Sequence, residues 1–442
     1  MERRFKAGAA QADITPPLGI RLGGYPHEPR HNTGANDPLT ASCLYLENEE
    51  NAILFIGLDL LSLSRAYILQ LRKQIAKESG IPENNIMVSC SHSHSAPALA
   101  GGLDTESQAA DHHATPEYIR FVLDAALSLA DRAKSTAVPC EVGFGAAECG
   151  PAQGIGGNRR DPENGPSDPH VYALAARDLC GKVIGILVNY ALHPTLLHAE
   201  NTLCSADYPA YIRKRLQDVF PSAAMVFNLG AAGDQSSRYF RSGQTFAEAE
   251  RFGNTMAEGV RRAILHAEFE ESGEISVCSA PFTPALRTFP DPQIVRIELN
   301  EKRKMLQRAI DENAGYLTRQ NAELAVFGAE GRLAYSESVA ENREIRVKED
   351  ELPSEICHAK IGQANILFLP GEIFMGVAKR IREKSGLREL IITTMSNGYL
   401  PGYMFTENDV DDGGYEVDVS MLDASAASQA ADVSLKLIGK TK

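Results

Sequence analysis

Tryptophan is absent from the 442 residues, and the eight cysteines (Cys43, Cys90, Cys140, Cys149, Cys180, Cys204, Cys278 and Cys357) form no C-x-x-C pair and no dense framework. Zinc-thiolate sites need clustered ligands, so the thiols read instead as small hydrophobes in a reducing compartment. No segment approaches the roughly 18 uninterrupted apolar residues of a membrane span, and Met1 to Pro17 lacks the apolar stretch of a signal peptide. A cytoplasmic protein without a transmembrane segment is the expectation. Basic runs are missing too: 44 Lys and Arg stand against 58 Asp and Glu, for a net charge of -14. That balance argues against nucleic acid or an anionic membrane as the main partner. No G-x-S-x-G elbow occurs, which disfavours an α/β-hydrolase. The Gly-rich stretch from Gly154 to Arg160 follows no apolar strand and runs into Asp161-Pro162, which rules out a dinucleotide fingerprint.

What is present is an ordinary globular composition, 43% hydrophobic and 23% charged. One pattern recurs along it: short apolar runs of strand length stop abruptly in loops that carry reactive side chains. Ile53 to Leu58 ends at Asp59, and Ile86 to Val88 runs into Ser89-Cys90-Ser91-His92-Ser93-His94. Between them Ile68, Leu71 and Ile75 have helical spacing and Gly80 supplies a stop, so this stretch reads as a β-α-β unit. Val183 to Val188 leads to His193-Pro194, Met225 to Leu229 to Gly233-Asp234-Gln235-Ser236, Ile366 to Leu369 to Pro370-Gly371-Glu372, and Leu390 to Thr394 to Asn397-Gly398-Tyr399. Helices are expected near 208–219, 247–266 and 374–384. The fold class that follows is α/β, with a mixed, largely parallel sheet flanked by helices and a site at the carboxyl ends of the strands. The chain reads as a single domain over 1–442 with a helical insertion at about 293–341.

His92 and His94 share a face if extended and diverge in a turn; two imidazoles so placed hold a metal jointly, or divide ligation and proton transfer between them. His193 is a second imidazole after a separate strand, and Glu372 adds a carboxylate at the start of a helix, where the dipole also favours it. A His/His/Glu set is typical of hydrolytic zinc sites that leave a position for water. Asp234 caps a segment or joins the site, Ser236 is a nucleophile or a hydrogen-bond donor, and the fork of Arg159 suits a substrate carboxylate or carbonyl. Asp59, Asp207 and Asp411 are further carboxylates that a second cation could use.

The ordered set Gly8-Ala9-Ala10-Gln11-Ala12-Asp13-Ile14-Thr15-Pro16, Ser91-His92-Ser93-His94-Ser95-Ala96-Pro97, Asn158-Arg159, His193-Pro194-Thr195, Gly233-Asp234-Gln235-Ser236, Pro370-Gly371-Glu372 and Asn397-Gly398-Tyr399-Leu400-Pro401-Gly402-Tyr403 resembles the catalytic domain of the neutral/alkaline non-lysosomal ceramidases. The resemblance implies zinc held by His92, His193, Glu372 and Tyr403. It places His94, Arg159 and Ser236 at the scissile amide, with Asp234 supporting Ser236. The tyrosine loop is one residue longer than the family pattern, so Tyr399 competes with Tyr403 as ligand and is otherwise assigned to substrate binding. The family's Asp-Val-Ser is Asp234-Gln235-Ser236 here, and its Asn-Arg-Ser-Pro is Asn158-Arg159-Arg160-Asp161. The C-terminal immunoglobulin-like domain and export signal usual in that family are not expected in this chain.

The expected activity is zinc-dependent hydrolysis of an N-acyl amide, with a lipid or small-molecule amide as partner; self-association into a homo-oligomer is compatible with it. Two rivals stand beside it. One keeps the metal but takes a small polar amide, lactone or ester, and the other is a non-catalytic binding module on the same fold.

Overall fold

The computed structural model describes residues 3–25, 29–99, 114–341, 351–400 and 402–441; Pro401 of the tyrosine loop lies outside them. Eight strands, β1 (Lys6–Asp13), β2 (Thr40–Glu47), β3 (Ala52–Leu58), β4 (Ile86–Cys90), β5 (Val138–Glu148), β6 (His170–Asp178), β7 (Val183–Tyr190) and β8 (Ala224–Leu229), run in the order β8-β7-β6-β5-β1-β2-β3-β4. The short strand Glu268–Glu270 joins β5 and completes a nine-stranded sheet.

The sheet is mixed, as the sequence suggests, but parallel pairing does not dominate it. Only β3 with β4 and β7 with β8 are parallel. The pairs β1–β2, β1–β5, β2–β3, β5–β6 and β6–β7 are antiparallel. Two tight reversals explain the difference: Asn48 donates to Asn51 O between β2 and β3, and Asp178 to Lys182 O between β6 and β7. Both parallel pairs need a helical crossover. These are α1 (Arg65–Ser79) and α3 (Tyr208–Val219). In α1 the expected Ile68, Leu71 and Ile75 are buried, Ser64 caps the Tyr67 amide, and Gly80 closes the helix in the left-handed region (φ 74).

A second sheet contains β9 (Ile275–Phe282), β10 (Ser354–Ile361), β11 (Ala364–Phe368) and β12 (Ile391–Thr393). Three cores stack the layers. Helices α1, α2 (Pro116–Ser135), α3 and α4 (Phe246–His266) cover one face of the large sheet, with Ile68, Val122, Ile212 and Met256 in the same cluster as Leu54, Ile56 and Val188. Phe55, Leu187 and Val226 share a second cluster with Cys357, Ile366 and Phe368, between the sheets. Beyond the small sheet, Val377 and Ile381 of a helix at Met375–Ser385 join Leu437 of the C-terminal helix Ser425–Lys440 against Leu367 and Ile392. The result is helices, sheet, sheet and helices, each apolar face buried against the next. The eight cysteines form no disulfide, and all but Cys180 and Cys278 are buried.

Two long helices, Pro292–Asp311 and Tyr316–Ala340, occupy the charged stretch and pack on each other through Leu299, Val326 and Ala329. No helix among the described residues is long and apolar enough to cross a membrane.

Polar ties lock the two sheets together where the reactive loops emerge. Asn397 accepts from the Val88 amide (3.0 Å) and donates its own N–H to Val88 O (2.8 Å), while Ser89 donates to Asn228 Oδ1 (2.9 Å). Asn189 donates to carbonyls of Asn228 and Ile392 (both 3.1 Å), tying β7 and β8 to β12. Strands of both sheets thus deliver their carboxyl ends to one place.

Candidate metal centre and reaction cavity

Just past β4 the backbone turns sharply, and His92 takes φ 64, a left-handed conformation that costs a non-glycine residue about 1–2 kcal/mol. It is held there from two sides: its N–H donates to Leu60 O (2.9 Å) and its Nδ1 to Leu61 O (2.8 Å). His193, past β7, is fixed the same way, with Nδ1 donating to Ala232 O (2.6 Å). A carbonyl only accepts, so both rings carry a proton on Nδ1 and turn Nε2 inward. Glu372 follows Gly371, whose φ of 82 lets the chain turn out of β11, and its Oε2 lies 2.9 Å from His193 Nε2 and 3.5 Å from His92 Nε2. All three side chains are buried.

This arrangement is unfavourable as it stands. Burial opposes the charge of Glu372, yet His92 and His193 hold its carboxyl well below the usual carboxylate range. Burial, seconded by Arg159, pushes the His193 imidazolium down. A buried carboxylate and two buried ring nitrogens thus meet in a dry site, where His193 Nε2 and Glu372 Oε2 stand at hydrogen-bond distance and need a shared proton or a cation between them. A cation resolves the conflict. Tetrahedral zinc with bonds of about 2.0–2.1 Å sets neighbouring ligand atoms about 3.3 Å apart, close to both spacings from Glu372. The Nδ1–H bonds to carbonyls are the outer-shell contacts that metal-bound histidines require.

Tyr403 stands in register with Glu372 in a two-residue parallel pairing, Glu372 with Tyr403 and Ile373 with Met404. Its hydroxyl accepts from Arg159 Nη2 (3.4 Å). Tyr399 also feels the charge of Glu372, but its amide donates to Glu351 (3.3 Å), its ring packs against the helix-covered core, and it does not line the cavity described below. His94 is close to the trio, its ring centroid 5.2 Å from that of His92 and 5.6 Å from that of His193, and one ring nitrogen of each histidine lies within 4.8 Å of the others. The turn makes the His92 and His94 rings meet edge to face. Both His94 ring nitrogens are buried without a protein partner. Burial first, then His92 and His193, lower its pKa well below the ordinary value, so the ring is a neutral base.

His94, Arg159, Ser236 and Tyr403 share the wall of one cavity of about 350 Å³ with Tyr25, Tyr415 and the helix residues Gln320, Glu323, Leu324 and Phe327. Arg159 is held rigidly: Nε donates to Glu416 (2.7 Å) and Nη2 to Gly233 O (2.8 Å). Ser236 Oγ accepts the Arg238 amide (3.1 Å). Asp234 does not support Ser236. Its carboxylate accepts from Asn158 (3.0 Å), Gln235 (2.9 Å) and the Met375 amide (2.8 Å), so it caps the helix that follows Glu372 and fastens three loops. Gly233 belongs to the same junction; a Cβ there would press on the backbone of Ile373.

The other acidic candidates are engaged in structure. Asp59 pairs with Arg213 (2.9 Å), and Asp411 is exposed in a short helix. Asp207 accepts from the amides of Tyr208 (2.7 Å) and Leu197 (3.1 Å), pinning the loop after His193 to the start of α3. Burial pushes its pKa up to about 7. The folded protein therefore holds this proton longer than the unfolded chain, whose aspartate titrates near 3.9. The stabilisation is complete below about pH 4 and is lost as pH rises through about 7. Asp207→Asn is expected to flatten the unfolding free energy against pH relative to wild type over that window, by on the order of a few kcal/mol in total. Urea titrations at several pH values check this; parallel profiles would refute it.

Several contributors escape a reading of the sequence. Glu416 bridges Arg159 and Arg160 (2.7 and 3.1 Å), and Arg30 donates to four carbonyls, those of Gly23, His94, His198 and Asn201. Neither stands in a strand-end loop with other reactive residues.

Residues 5–219 match the protein family described as neutral/alkaline non-lysosomal ceramidase, N-terminal. No curated protein matches the sequence closely enough to count as a relative. Among solved structures, a neutral ceramidase from Pseudomonas aeruginosa superposes with a TM-score of 0.75 at 17% identity, covering 99% of this chain and 74% of its own. A ceramidase complexed with C2 gives a TM-score of 0.75 at 16% identity, covering 99% of this chain and 75% of its own. Residues 5–219 thus carry the sequence signature of the neutral/alkaline non-lysosomal ceramidase N-terminal family, and nearly the whole chain shares the fold of the solved neutral ceramidases.

Proposed function

We propose that the protein is a zinc-dependent hydrolase of N-acyl amides, with the metal held by His92, His193, Glu372 and Tyr403. The observation that carries this reading is the buried Glu372 carboxylate converging with the Nε2 atoms of two imidazoles whose Nδ1 protons are committed to the carbonyls of Leu61 and Ala232. A zinc ion bound there supplies a Lewis acid that eases deprotonation of a water and polarises a carbonyl. The chain's own groups do the rest. Neutral His94 takes a proton at a ring nitrogen and returns it to the leaving amine. Arg159, immobilised by Glu416, presents a fixed positive charge where the carbonyl oxygen becomes negative, and Tyr403 stands beside it. Ser236, which lines the same cavity, positions the reacting groups.

Exhaustive chelation is expected to remove about one zinc per chain and to lower hydrolysis of an N-acyl substrate by at least two orders of magnitude or so, with zinc restoring both. A chain that never takes up stoichiometric zinc would favour the non-catalytic binding module.

A second reading, hydrolysis of a small polar amide, lactone or ester, is favoured by the charged Glu200, Arg238, Arg241 and Glu323, which share the cavity wall with the apolar Ala199, Leu324 and Phe327. Fluorescent ceramide tested against short N-acyl compounds separates the two, since a strict lipid amidase ignores the latter.

A further inference from the structure

Three arginines line the reaction cavity, and only one is neutralised. Arg159 ends on Glu416, whereas Arg238 and Arg241 form no ion pair with any described residue. Arg238 donates to Asn321 Oδ1 (3.1 Å); Arg241 donates to Thr195 O (2.8 Å) and approaches Ser237 Oγ (3.5 Å). Elsewhere three enclosed guanidiniums meet a carboxylate, Arg72 with Glu355 (2.6 Å), Arg213 with Asp59 (2.9 Å) and Arg382 with Asp168 (2.6 Å), while buried Arg30 is satisfied by four carbonyls.

The carboxylates of the cavity wall do not fill the gap. Glu200 is largely solvated and takes His198 (3.0 Å), and Glu323 is exposed. Arg238 is half-buried, and burial, then repulsion from Arg159, make its charge costly to hold. An uncompensated cation in a partly dry cavity gains most from an anion delivered by the ligand, because charge-assisted hydrogen bonds strengthen as water leaves.

We propose that the cavity selects N-acyl amides bearing an anionic group, a carboxylate or a phosphate, which docks on Arg238 and Arg241. The inference rests on the hydrolase reading above and narrows its substrate class to polar, negatively charged amides. Glu416 keeps Arg159 out of this role, so docking and oxyanion stabilisation fall to different arginines.

Three probes sharing one acyl chain test it on the zinc-loaded full chain: N-hexanoylglycine, N-hexanoyl-ethanolamine phosphate and neutral N-hexanoyl-ethanolamine. At least one anionic probe is expected to exceed the neutral one in kcat/KM by roughly tenfold or more, mainly through KM. Arg238→Gln and Arg241→Gln should each shrink that ratio severalfold, and Arg238→Lys should retain part of it. The first two probes tell carboxylate from phosphate. Equal or better cleavage of the neutral probe, or a ratio indifferent to both glutamine variants, overturns the proposal. If none of the three is cleaved and fluorescent ceramide is not cleaved either, the hydrolase reading fails. Calorimetric titration of the same probes then decides the docking site alone: anion-selective binding lost in the variants supports it, and binding without preference, or none, overturns it.

Discussion

Glu372→Gln is expected to leave the protein without stoichiometric zinc while keeping its metal-free form about as stable as metal-free wild type. The two halves follow from one geometry. The carboxylate supplies both charge and a ligand oxygen, so zinc affinity should fall by at least about a hundredfold, and hydrolysis with it. In the absence of metal, however, the wild-type carboxylate lies 2.9 and 3.5 Å from Nε2 of His193 and His92, a contact that holds only while a proton is shared between them. A glutamine amide can donate to one of them instead, replacing that contact by an ordinary hydrogen bond, so the metal-free fold should change by no more than about 1 kcal/mol. Zinc should accordingly raise the melting temperature of wild type and leave the variant where it was. Metal analysis and thermal melts with and without zinc read both signs. A variant that still binds one zinc per chain, or whose metal-free form melts well below metal-free wild type, would remove the basis for the metal site.

Glu416→Gln should destabilise the fold by about 3–5 kcal/mol, because it abandons two buried guanidiniums rather than one. Arg159 and Arg160 have side chains 9% and 15% exposed, and both end on this carboxylate. Without it they repel each other and the Arg159 fork loses its anchor, so hydrolysis falls along with stability. Adding Arg160→Met to the variant should recover part of the loss, and the double-mutant cycle measures the coupling. Urea denaturation supplies the numbers. A loss under about 1 kcal/mol, or strict additivity, would mean that solvent already screens the cluster.

How far these features were visible in the sequence depends on local contrast. His92, His193 and Glu372 stand at points where an uninterrupted apolar run breaks, so strand ends and reactive residues announce each other. The helices at 208–219 and 246–266 carry strong apolar periodicity and were legible within a residue or so. By contrast β1, β5 and β6 hide. Lys6–Asp13 is mostly alanine, glycine and polar residues, and Gly143 and Gly145 interrupt Val138–Glu148. These small residues are there because neighbours crowd in: a Cβ at Gly8 would strike Ala133 O, and one at Gly145 would strike Ala263 O. Missing them turned a sheet with parallel pairs only near its edges into a largely parallel one. Glu416 is 257 residues from Arg159 along the chain and sits among other acidic residues, with nothing to single it out. The family resemblance assigned Asp234 to support Ser236, whereas its place after a glycine suggested a cap. Its oxygens serve the helix after Glu372 instead, a long-range partnership that spacing does not encode.

The helix pair spanning 292–340 has its own small cluster of apolar contacts yet contributes Gln320, Glu323, Leu324 and Phe327 to the cavity. None of the proposed metal ligands resides on it. Mutational drift in that pair can therefore reshape what fits the enclosure while the reactive end stays as it is, which gives descendants of such a protein an inexpensive path to new ligands and gives an engineer a place to graft alternatives.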